Sequence, residues 1–413
     1  MSEPHVTPYG KWSSPITAEQ LSSGNVHLEG IQTIPSTGRI YALESRPAEG
    51  GRHAIVEIPI STSTSTPIST PPRDVLPAGY SAMGAIHEYG GGSFLAHHPD
   101  GNETSITFTD SPKNGIFSLD PASGEVTTIV LPNPRIRYGD FHVYPPGSHE
   151  WILAVQETHG LQGAEENMIV AIHAATGNVA TVAQGADFYQ HPKFSPDGRY
   201  VSWIQWSHPD MPWTGSILHV AEWEAGRVLT EMETGITVVA GRAGVEIICQ
   251  PRWGPDGTLF FVSDRTGFWQ LYRWSDTGSG AARELRMIKL KGLESAEFGS
   301  REPCLGNCTY VLLDENTLVA SAVQNATASL VRIDLRTNAW EDLELPLVDI
   351  QKNALARLSP TSFVVIGSTR TTSQALYRVD LAKDTKPTLS LLYTTTHPIP
   401  PSLVSPATHV TFP

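Results

Sequence analysis

The sequence predicts an all-β chain, a seven-bladed β-propeller built from four-stranded antiparallel blades. Two observations predict it: a β-hairpin pattern recurs seven times along the 413 residues, and helical periodicity is almost absent. The composition agrees, because 35 glycines, 32 prolines and only 17% charged residues suit many short strands joined by tight turns. At 40% hydrophobic residues, the chain can bury a large core.

The repeated unit is an alternating strand, a turn rich in Gly or Asx residues, and a second strand. It recurs about every 50 residues, enough for a four-stranded blade of roughly 40 residues or more. The seven hairpins begin with HAIVEIPI at His53, GIFSLDPASG at Gly115, MIVAIHAATG at Met168, ILHVAEWEAGRVLTEM at Ile217, QLYRWSDTG at Gln270, LVRIDLRTN at Leu330 and LYRVDLAKD at Leu376.

Further strands lie between the hairpins, each rich in β-branched or aromatic residues. They are RIYALES, SITFTD, WILAVQE, YVSWIQW, TLFFVSD, TLVASAV and SFVVIGS. We therefore expect residues 1–413 to form a single propeller, because a ring of sheets leaves only short, protected edges. A pair of β-sandwiches is the alternative, and the blade count is fixed only to within one.

A loop, a short helix and two tight turns are predicted outside the repeated strands. The polar, low-complexity segment PISTSTSTPISTPP after Ile58 is typical of a surface loop, and TAEQLSSG near Thr17 is the best short helix. Pro-Asp-Gly recurs in HPKFSPDGRY and QPRWGPDGTL, where Pro fixes φ, Asp bonds the backbone and Gly accepts a positive φ. We interpret these two motifs as structural turns.

Charge and cysteine content narrow the function. The net charge of −14 disfavours nucleic acid and anionic membrane as partners. No run approaches the roughly 20 apolar residues of a membrane span, and the N-terminal residues lack a signal-peptide pattern, so a cytoplasmic location is expected. The three cysteines, Cys249, Cys304 and Cys308, predict no disulfide framework, metal site or cofactor, because CLGNC has no second ligand pair at zinc spacing.

Four segments in order resemble the propeller of prolyl oligopeptidase-family serine peptidases. They are HEYGGGSF from His87, HPKFSPDG from His191, HPDMPWTG from His208 and QPRWGPDG through FFVSDRTGFWQLYRW from Gln250. The branch that the segments resemble is that of dipeptidyl aminopeptidases and acylaminoacyl peptidases. The resemblance implies a propeller that gates or binds substrate beside an α/β-hydrolase domain carrying Ser, Asp and His.

The hydrolase is not found within these 413 residues. A nucleophile elbow requires G-x-S-x-G, and no serine of the chain has that context. Residues 396–413 resemble the start of a linker to the absent hydrolase domain. We therefore expect no peptidase activity from this chain alone, and possible partners are a peptide or small-molecule ligand in the tunnel and a hydrolase domain in trans.

The motif HEYGGGSF supplies the first candidate site. His87, Glu88 and Tyr89 are predicted to hold a ligand amine or carbonyl, and three glycines after them allow close backbone approach. The alternative is a glycine-rich bulge at the start of an inner strand, where crowding favours small residues.

The motif HPDMPWTG supplies the second candidate site. Two prolines pre-organise this loop, His208 and Asp210 offer polar anchors, and Trp213 offers apolar contact area. The resemblance places this loop and HEYGGG at the tunnel mouth facing the hydrolase. The sequence departs from the family pattern, which favours Asn at Asp210 and an acid at Thr214. The alternative is plain blade packing.

Four further residues complete the set. His191 is a candidate acid or base in a tunnel site. Arg265 in SDRTGFW is a candidate for binding a carboxylate, with loop stabilisation as the alternative. Glu165 and Glu166 are similar to the paired acids with which dipeptidyl peptidases bind a free amino terminus, but two adjacent acids on a loop are more often solvated.

Three function classes follow. The first is a non-catalytic peptidase propeller that acts as a binding module. The second is a free-standing propeller enzyme, such as an isomerase, cyclase or lactonase, acting on a small molecule in the tunnel. The third is a protein-interaction scaffold.

Overall fold

The computed structural model describes most of the chain. The described residues are 6–11, 13–14, 16–18, 26–60, 71–99, 103–144, 150–160, 163, 165–230, 235–275, 284–381, 386–395, 401–406 and 408–412. Most of the low-complexity segment after Ile58 and of the helix candidate near Thr17 lies outside them. So does the beginning of the stretch 396–413 that resembles a linker.

The chain folds into seven sheets, each built on four antiparallel strands, which confirms the predicted seven-bladed β-propeller. Blade 1 has β1 His27–Ile34, β2 Arg39–Arg46, β3 Arg52–Ile58 and β4 Arg73–Asp74. Blade 2 has β5 Phe94–His97, β6 Ser105–Thr109, β7 Ile116–Leu119 and β8 Val126–Val130. Blade 3 has β9 Ile136–Val143, β10 Trp151–His159, β11 Glu165–His173 and β12 Val179–Gln184. Blade 4 has β13 Phe188–Phe194, β14 Tyr200–Trp206, β15 Ile217–Glu222 and β17 Ile236–Gly241.

Blades 5 to 7 repeat the same order. Blade 5 has β18 Ile248–Trp253, β19 Leu259–Ser263, β20 Gln270–Ser275 and β21 Glu284–Met287. Blade 6 has β22 Tyr310–Leu312, β23 Thr317–Gln324, β24 Thr327–Asp334 and β25 Trp340–Asp342. Blade 7 has β26 Leu347–Ser359, β27 Ser362–Thr369, β28 Ala375–Asp380 and β29 Thr388–Thr394. Short 3₁₀ segments cover Pro47–Glu49, Ile86–Glu88 and Pro401–Leu403.

Six of the seven predicted hairpins are found in the structure, where each includes the third strand of a blade and leads to the fourth. The exception is ILHVAEWEAGRVLTEM, where the hairpin prediction is wrong in its second half. Strand β16, Leu229–Thr230, pairs in parallel with β12 of blade 3, and the outer strand of blade 4 is β17. Leu229 pairs with blade 3 because its side chain is buried in the apolar cluster that blades 3 and 4 share, which also contains Val182 and Ala183 of β12.

The first strand of each blade lies innermost, so the seven first strands surround the tunnel. One face of the ring, here the interblade face, carries the connections between blades and the loops between second and third strands. The opposite face, here the hairpin face, carries the turns between first and second and between third and fourth strands. The two Pro-Asp-Gly turns lie on the hairpin face, with Gly198 and Gly257 at φ 71° and 80°, as the sequence predicts.

The ring closes by packing of blade 7 against blade 1. One apolar cluster contains residues of both blades, including Ile40, Val56, Val364 and Leu376, all fully buried. Across the same seam, the Tyr393 hydroxyl donates to Glu44 Oε1 at 2.6 Å. Neither blade borrows a strand from the other within the described residues, so side-chain packing supplies the closure.

No helix among the described residues is both long enough and apolar enough to span a membrane.

Candidate functional site

A segment between blades 5 and 6 crosses the tunnel. We call residues 301–309 the strap. Its Leu305 N–H donates to Gly90 O at 2.8 Å, and Leu305 pairs in parallel with Gly91 and is buried in an apolar cluster with residues of blades 3 and 4. Its Cys308 N–H donates to Lys352 O of blade 7 at 2.6 Å. The strap thus joins blades on opposite sides of the ring.

The three glycines of HEYGGGSF receive the strap. Gly91 has a φ of 91°, and a Cβ there would lie 2.3 Å from Leu305 O. Gly92 has a φ of 57°, and a Cβ there would lie 2.8 Å from the backbone nitrogen of Asp140. Both proposed reasons for the glycines therefore hold: they provide close backbone approach, and they precede the inner strand β5.

A cavity of about 710 Å³ lies on the interblade side of the strap. Blades 1, 2 and 7 and the strap line it, and Glu88 and Tyr89 are in its wall. Glu29 is the other acid of the lining, and its carboxylate accepts a hydrogen bond from, or pairs with, His53 Nε2 at 2.9 Å. The cavity combines carboxylates, a tyrosine and half-buried apolar groups, which is a common composition for a ligand site.

Glu88 and Tyr89 are exposed, whereas His87 is not. His87 packs edge-on against the rings of Phe188 and Trp206, with centroids 5.2 and 5.4 Å away. Burial lowers the pKa of His87 to about 4, so its imidazole is neutral at pH 7. Its backbone N–H donates to Glu157 Oε2 at 2.7 Å, and its Nε2 is buried without a partner among the described residues.

Glu88 belongs to a charged network that sequence reasoning missed. Arg137 donates to Glu88 Oε1 at 2.6 Å and to the buried Glu157 Oε1 at 2.8 Å. The Arg137 hydrogen bond holds the pKa of Glu88 below its usual value. His159 Nε2 is 2.7 Å from Glu157 Oε1 and its Nδ1 is 3.5 Å from Glu165 Oε1. The one sequence signal for this network was the charged residue, Glu157, at the end of the otherwise apolar strand WILAVQE.

Glu165 and Glu166 do not lie on a loop, so that part of the prediction is wrong. They are the first two residues of β11, where pairing with His159 and Thr158 continues the ladder from the apolar residues that follow. Both residues are exposed. Among the described residues, Glu88, His159 and Glu165 form the one group of ligand-type side chains whose atoms lie within 4.8 Å of one another.

The His208 loop meets His87 across one aromatic ring. The Phe188 ring lies 5.1 Å from the His208 ring and stacks on Trp206. His208 itself is exposed, and its Nδ1 and backbone N–H both lie 2.9 Å from Asp187 Oδ2. The two candidate motifs therefore converge on the interblade face through Phe188.

Asp210 acts within its own loop. It accepts hydrogen bonds from Thr214 Oγ1 at 2.9 Å and from the Gly244 N–H at 2.8 Å, so it links this loop to the next interblade connection. Thr214, where the family pattern has an acid, is the donor of that pair. Trp213 is half-buried on the same loop.

His191 and Arg265 are held by acids. His191 is 2% exposed, and its N–H donates to Asp140 Oδ2 at 2.6 Å. Its Nε2 is 3.4 Å from Glu302 of the strap. Arg265 pairs with Glu246 at 2.8 Å and lies over the Tyr272 ring, which favours loop stabilisation.

Exposed apolar side chains concentrate on the interblade face. Seven exposed large apolar residues lie on its connections or strand ends: Met83, Tyr89, Leu131, Met211, Val245, Phe268 and Val323. Val179 is the single such residue at a strand end of the hairpin face in the described chain. Among the described residues, exposed apolar side chains are thus more numerous at the connections of the interblade face than at the turns of the hairpin face.

The comparisons with solved structures agree with this architecture. A puromycin-hydrolyzing peptidase of Mycobacterium tuberculosis is 25% identical, with a TM-score of 0.81 over 96% of this chain and 58% of that chain. Prolyl oligopeptidase B from Galerina marginata is 13% identical, with a TM-score of 0.60 over 93% of this chain and 53% of its own. An oligogalacturonate lyase, solved with manganese, is 12% identical, with a TM-score of 0.58 over 87% of this chain and 91% of its own.

Neither a protein-family model nor a curated protein matches the chain. The chain spans little more than half the length of the two peptidases above. The resemblance in the sequence is nevertheless confirmed by structure, since the chain has the fold of the propeller of prolyl oligopeptidase-family peptidases.

Proposed function

We propose that this chain is the substrate-binding propeller of a prolyl oligopeptidase-type serine peptidase, and that its interblade face covers an α/β-hydrolase domain. The observation that carries the proposal is the concentration of exposed apolar residues and candidate site residues on that face. The peptidases of similar fold suggest which domain this face would contact, because more than 40% of the length of the first of them lies outside the part that this chain matches.

In this arrangement the 710 Å³ cavity forms one wall of the substrate chamber. Glu88 and Glu29 offer carboxylates to a ligand's amino group, and the exposed Tyr89 hydroxyl offers a donor to a carbonyl. Glu88 is negatively charged at neutral pH, as any glutamate of ordinary pKa is, and the hydrogen bond from Arg137 lowers its pKa further. The propeller thus binds and orients substrate, and the hydrolase domain supplies the nucleophile.

His208, Trp213 and Met211 have a different role in the proposal. They lie on the same exposed loop, which Asp210 anchors at both of its carboxylate oxygens. A loop that is ordered before contact loses little entropy when it docks. We assign this loop to the contact with the hydrolase domain, and we assign the pair to the cytoplasm, where three free cysteines are usual.

The test compares the purified chain with the same chain extended through any downstream reading frame. Both are assayed with aminoacyl-, dipeptidyl- and acyl-aminoacyl chromogenic substrates. We expect cleavage by the extended chain only. In the extended chain, Glu88→Gln should raise KM for substrates with a free amino group about tenfold with little change in kcat, because one charged contact is lost.

Glu224→Gln is the matched control, since Glu224 is exposed on a hairpin-face turn, away from the cavity. Equal KM values for Glu88→Gln, Glu224→Gln and the parent would remove Glu88 from the substrate site. An extended chain that cleaves none of the three substrate classes, or the lack of a downstream hydrolase frame, would overturn the proposal as a whole.

A free-standing propeller enzyme is the second candidate, favoured by one comparison. This chain matches nearly the whole length of the oligogalacturonate lyase, so a propeller of this size can be a complete enzyme. Of the acid/base candidates, His191 is buried and His87 is half-buried with its Nε2 enclosed, which leaves Glu88, Tyr89 and His208 accessible. Turnover of a small molecule by the 413-residue chain alone, abolished in Glu88→Gln, would favour this candidate over the first.

A further inference from the structure

A second cavity lies beyond the strap, toward the hairpin face. It has a volume of about 620 Å³ and continues into a smaller one of about 290 Å³, which shares Gln32, Arg252, Trp253 and Gly306 with it. We call the two together the inner chamber. Its walls are the later residues of the innermost strands, and Gly306 of the strap forms part of its floor.

The charges in the inner chamber are mostly positive. Lys193, Arg252 and Arg357 line it, and Asp140 is the one acid of its described lining. Asp140 is already engaged, because Lys193 Nζ lies 3.5 Å from its Oδ1 and the His191 N–H bonds its Oδ2. An excess of two cations in the centre of a chain with a net charge of −14 needs a physical explanation.

The two arginines have no acidic partner among the described residues. Arg252 donates to the backbone oxygen of Asn307 at 3.2 Å, and no carboxylate lies within 4 Å of it. The Nε atoms of Arg252 and Arg357 are both buried without an acceptor. A buried donor without an acceptor is destabilising, so an anion in contact with these groups would be stabilised.

The lining also contains a histidine suited to donate. Burial lowers the pKa of His142 to about 3, so its ring is neutral. Its Nδ1 accepts the Phe194 N–H at 3.2 Å, which leaves the ring proton on Nε2. Aromatic and aliphatic groups, among them Phe141, Tyr144 and Trp253, form much of the remaining wall.

We propose that the inner chamber binds a small molecule with two or more anionic groups, carboxylates or phosphates, held by Arg252, Arg357 and Lys193. Arg252 lies where the two parts of the chamber join, so it contacts the anionic group, while Trp253 and its neighbours contact the apolar part. The chamber opens on the hairpin face, opposite to the proposed hydrolase contact. Ligand binding there is therefore independent of the peptidase proposal.

The test is calorimetric titration of the 413-residue chain with pyrophosphate and with citrate, with glycerol as the neutral probe. We expect one anion per chain to bind, and added NaCl to weaken the binding. Arg357→Gln and Arg252→Gln should each weaken it about 10- to 100-fold, the loss expected for one charge-assisted hydrogen bond. Stronger binding of pyrophosphate would indicate a phosphorylated ligand, and stronger binding of citrate a polycarboxylate.

Arg199→Gln is the matched control, because Arg199 is exposed on the hairpin face but outside the chamber lining. It should bind like the parent. Thermal unfolding of each variant shows that it is folded, and Arg357→Gln is the informative variant if Arg252→Gln unfolds. The proposal is overturned if neither anion binds at millimolar concentration, or if Arg357→Gln binds as tightly as Arg199→Gln.

Discussion

The backbone N–H of His191 donates to Asp140 Oδ2 at 2.6 Å, and this bond joins the innermost strands of blades 3 and 4. His191 has a φ of 54° and Asp140 a φ of 55°, and each lies at a β-bulge in the innermost strand of its blade. Gln250 has the same conformation in blade 5, at φ 53°, and its Oε1 accepts the Thr309 N–H at 2.7 Å. Each bulge thus turns a polar side chain or backbone group toward the next blade around the tunnel.

Replacing Asp140 should destabilise the ring. Asp140→Ala leaves the His191 N–H and the Lys193 ammonium without an acceptor, so we expect a loss of about 3 kcal/mol or more in the free energy of unfolding. Asp140→Asn keeps an acceptor and tolerates a positive φ, so it should lose less. Urea denaturation at pH 7 measures both, and equal stability of Asp140→Ala and the parent would contradict the assignment.

The same carboxylate should make stability pH-dependent in acid. Burial raises the pKa of Asp140, but Lys193 and His191 outweigh this effect and hold it below the usual value. The contribution of Asp140 to the free energy of unfolding is therefore fully present above the pKa of the unfolded chain, about 3.9. It is lost as the pH falls through the lower pKa of the folded state. The stability difference between the parent and Asp140→Asn should shrink below about pH 4 in denaturant titrations.

His87 should produce a second pH dependence at higher pH. Its folded pKa of about 4 is below the model-peptide value of 6.5, so the unfolded chain binds more protons in this window. Stability is then lost as the pH falls from 6.5 to 4, by on the order of 3 kcal/mol for this residue. His87→Asn, which tolerates the φ of 53°, should lose less stability over that range. An unchanged pH profile in denaturant titrations would show that His87 is not held neutral by burial.

Gly91 should be required for the strap. Gly91→Ala brings a Cβ within 2.3 Å of Leu305 O, so steric conflict of about 1–3 kcal/mol adds to the backbone strain. Gly226→Ala is the matched control, because Gly226 has a φ of 82° and open space around it, and it should cost about 1–2 kcal/mol from strain alone. Thermal and urea unfolding measure both. Equal losses of stability in Gly91→Ala and Gly226→Ala would show that the strap moves to accommodate the new Cβ without a further cost in free energy.

Tyr393 should stabilise the seam between blades 7 and 1. Tyr393→Phe removes the hydroxyl that donates to the buried Glu44, with an expected loss of about 1.5–3 kcal/mol for a bond to a charged acceptor. Tyr144→Phe is the control, since its hydroxyl makes one long bond of 3.4 Å to Gly198 O and should change stability little. A Tyr393→Phe variant as stable as Tyr144→Phe would show that apolar packing alone closes the ring.

The sequence predicts most of the blades but little of their interiors. Phe117 and Tyr377 lie on strands as expected, because alternation and turn residues are local signals, and both strands are the third of their blades. The innermost strands were not predicted, since bulges such as those at His191 and Gln250 interrupt their alternation. Leu229 was assigned to the wrong blade because its strand pairs with a neighbouring sheet.

For the candidate sites too, the sequence showed the local motifs but not the contacts between distant segments. The motifs HEYGGGSF and HPDMPWTG were found from residue types, but their meeting at Phe188 depends on a strand from a third segment. The contact between Gly90 and Leu305 joins residues more than 200 positions apart, so no local pattern could reveal it. Arg252 and Arg357 were not singled out, because their isolation from acids is a property of the folded tunnel.

The strap couples parts of the ring that share no strand pairing. The bonds from Leu305 to Gly90 and from Cys308 to Lys352 form a chord across the ring. Separation of two adjacent blades would therefore strain contacts on the far side as well. The ring should resist opening at any single seam more strongly than packing between neighbouring blades alone would allow.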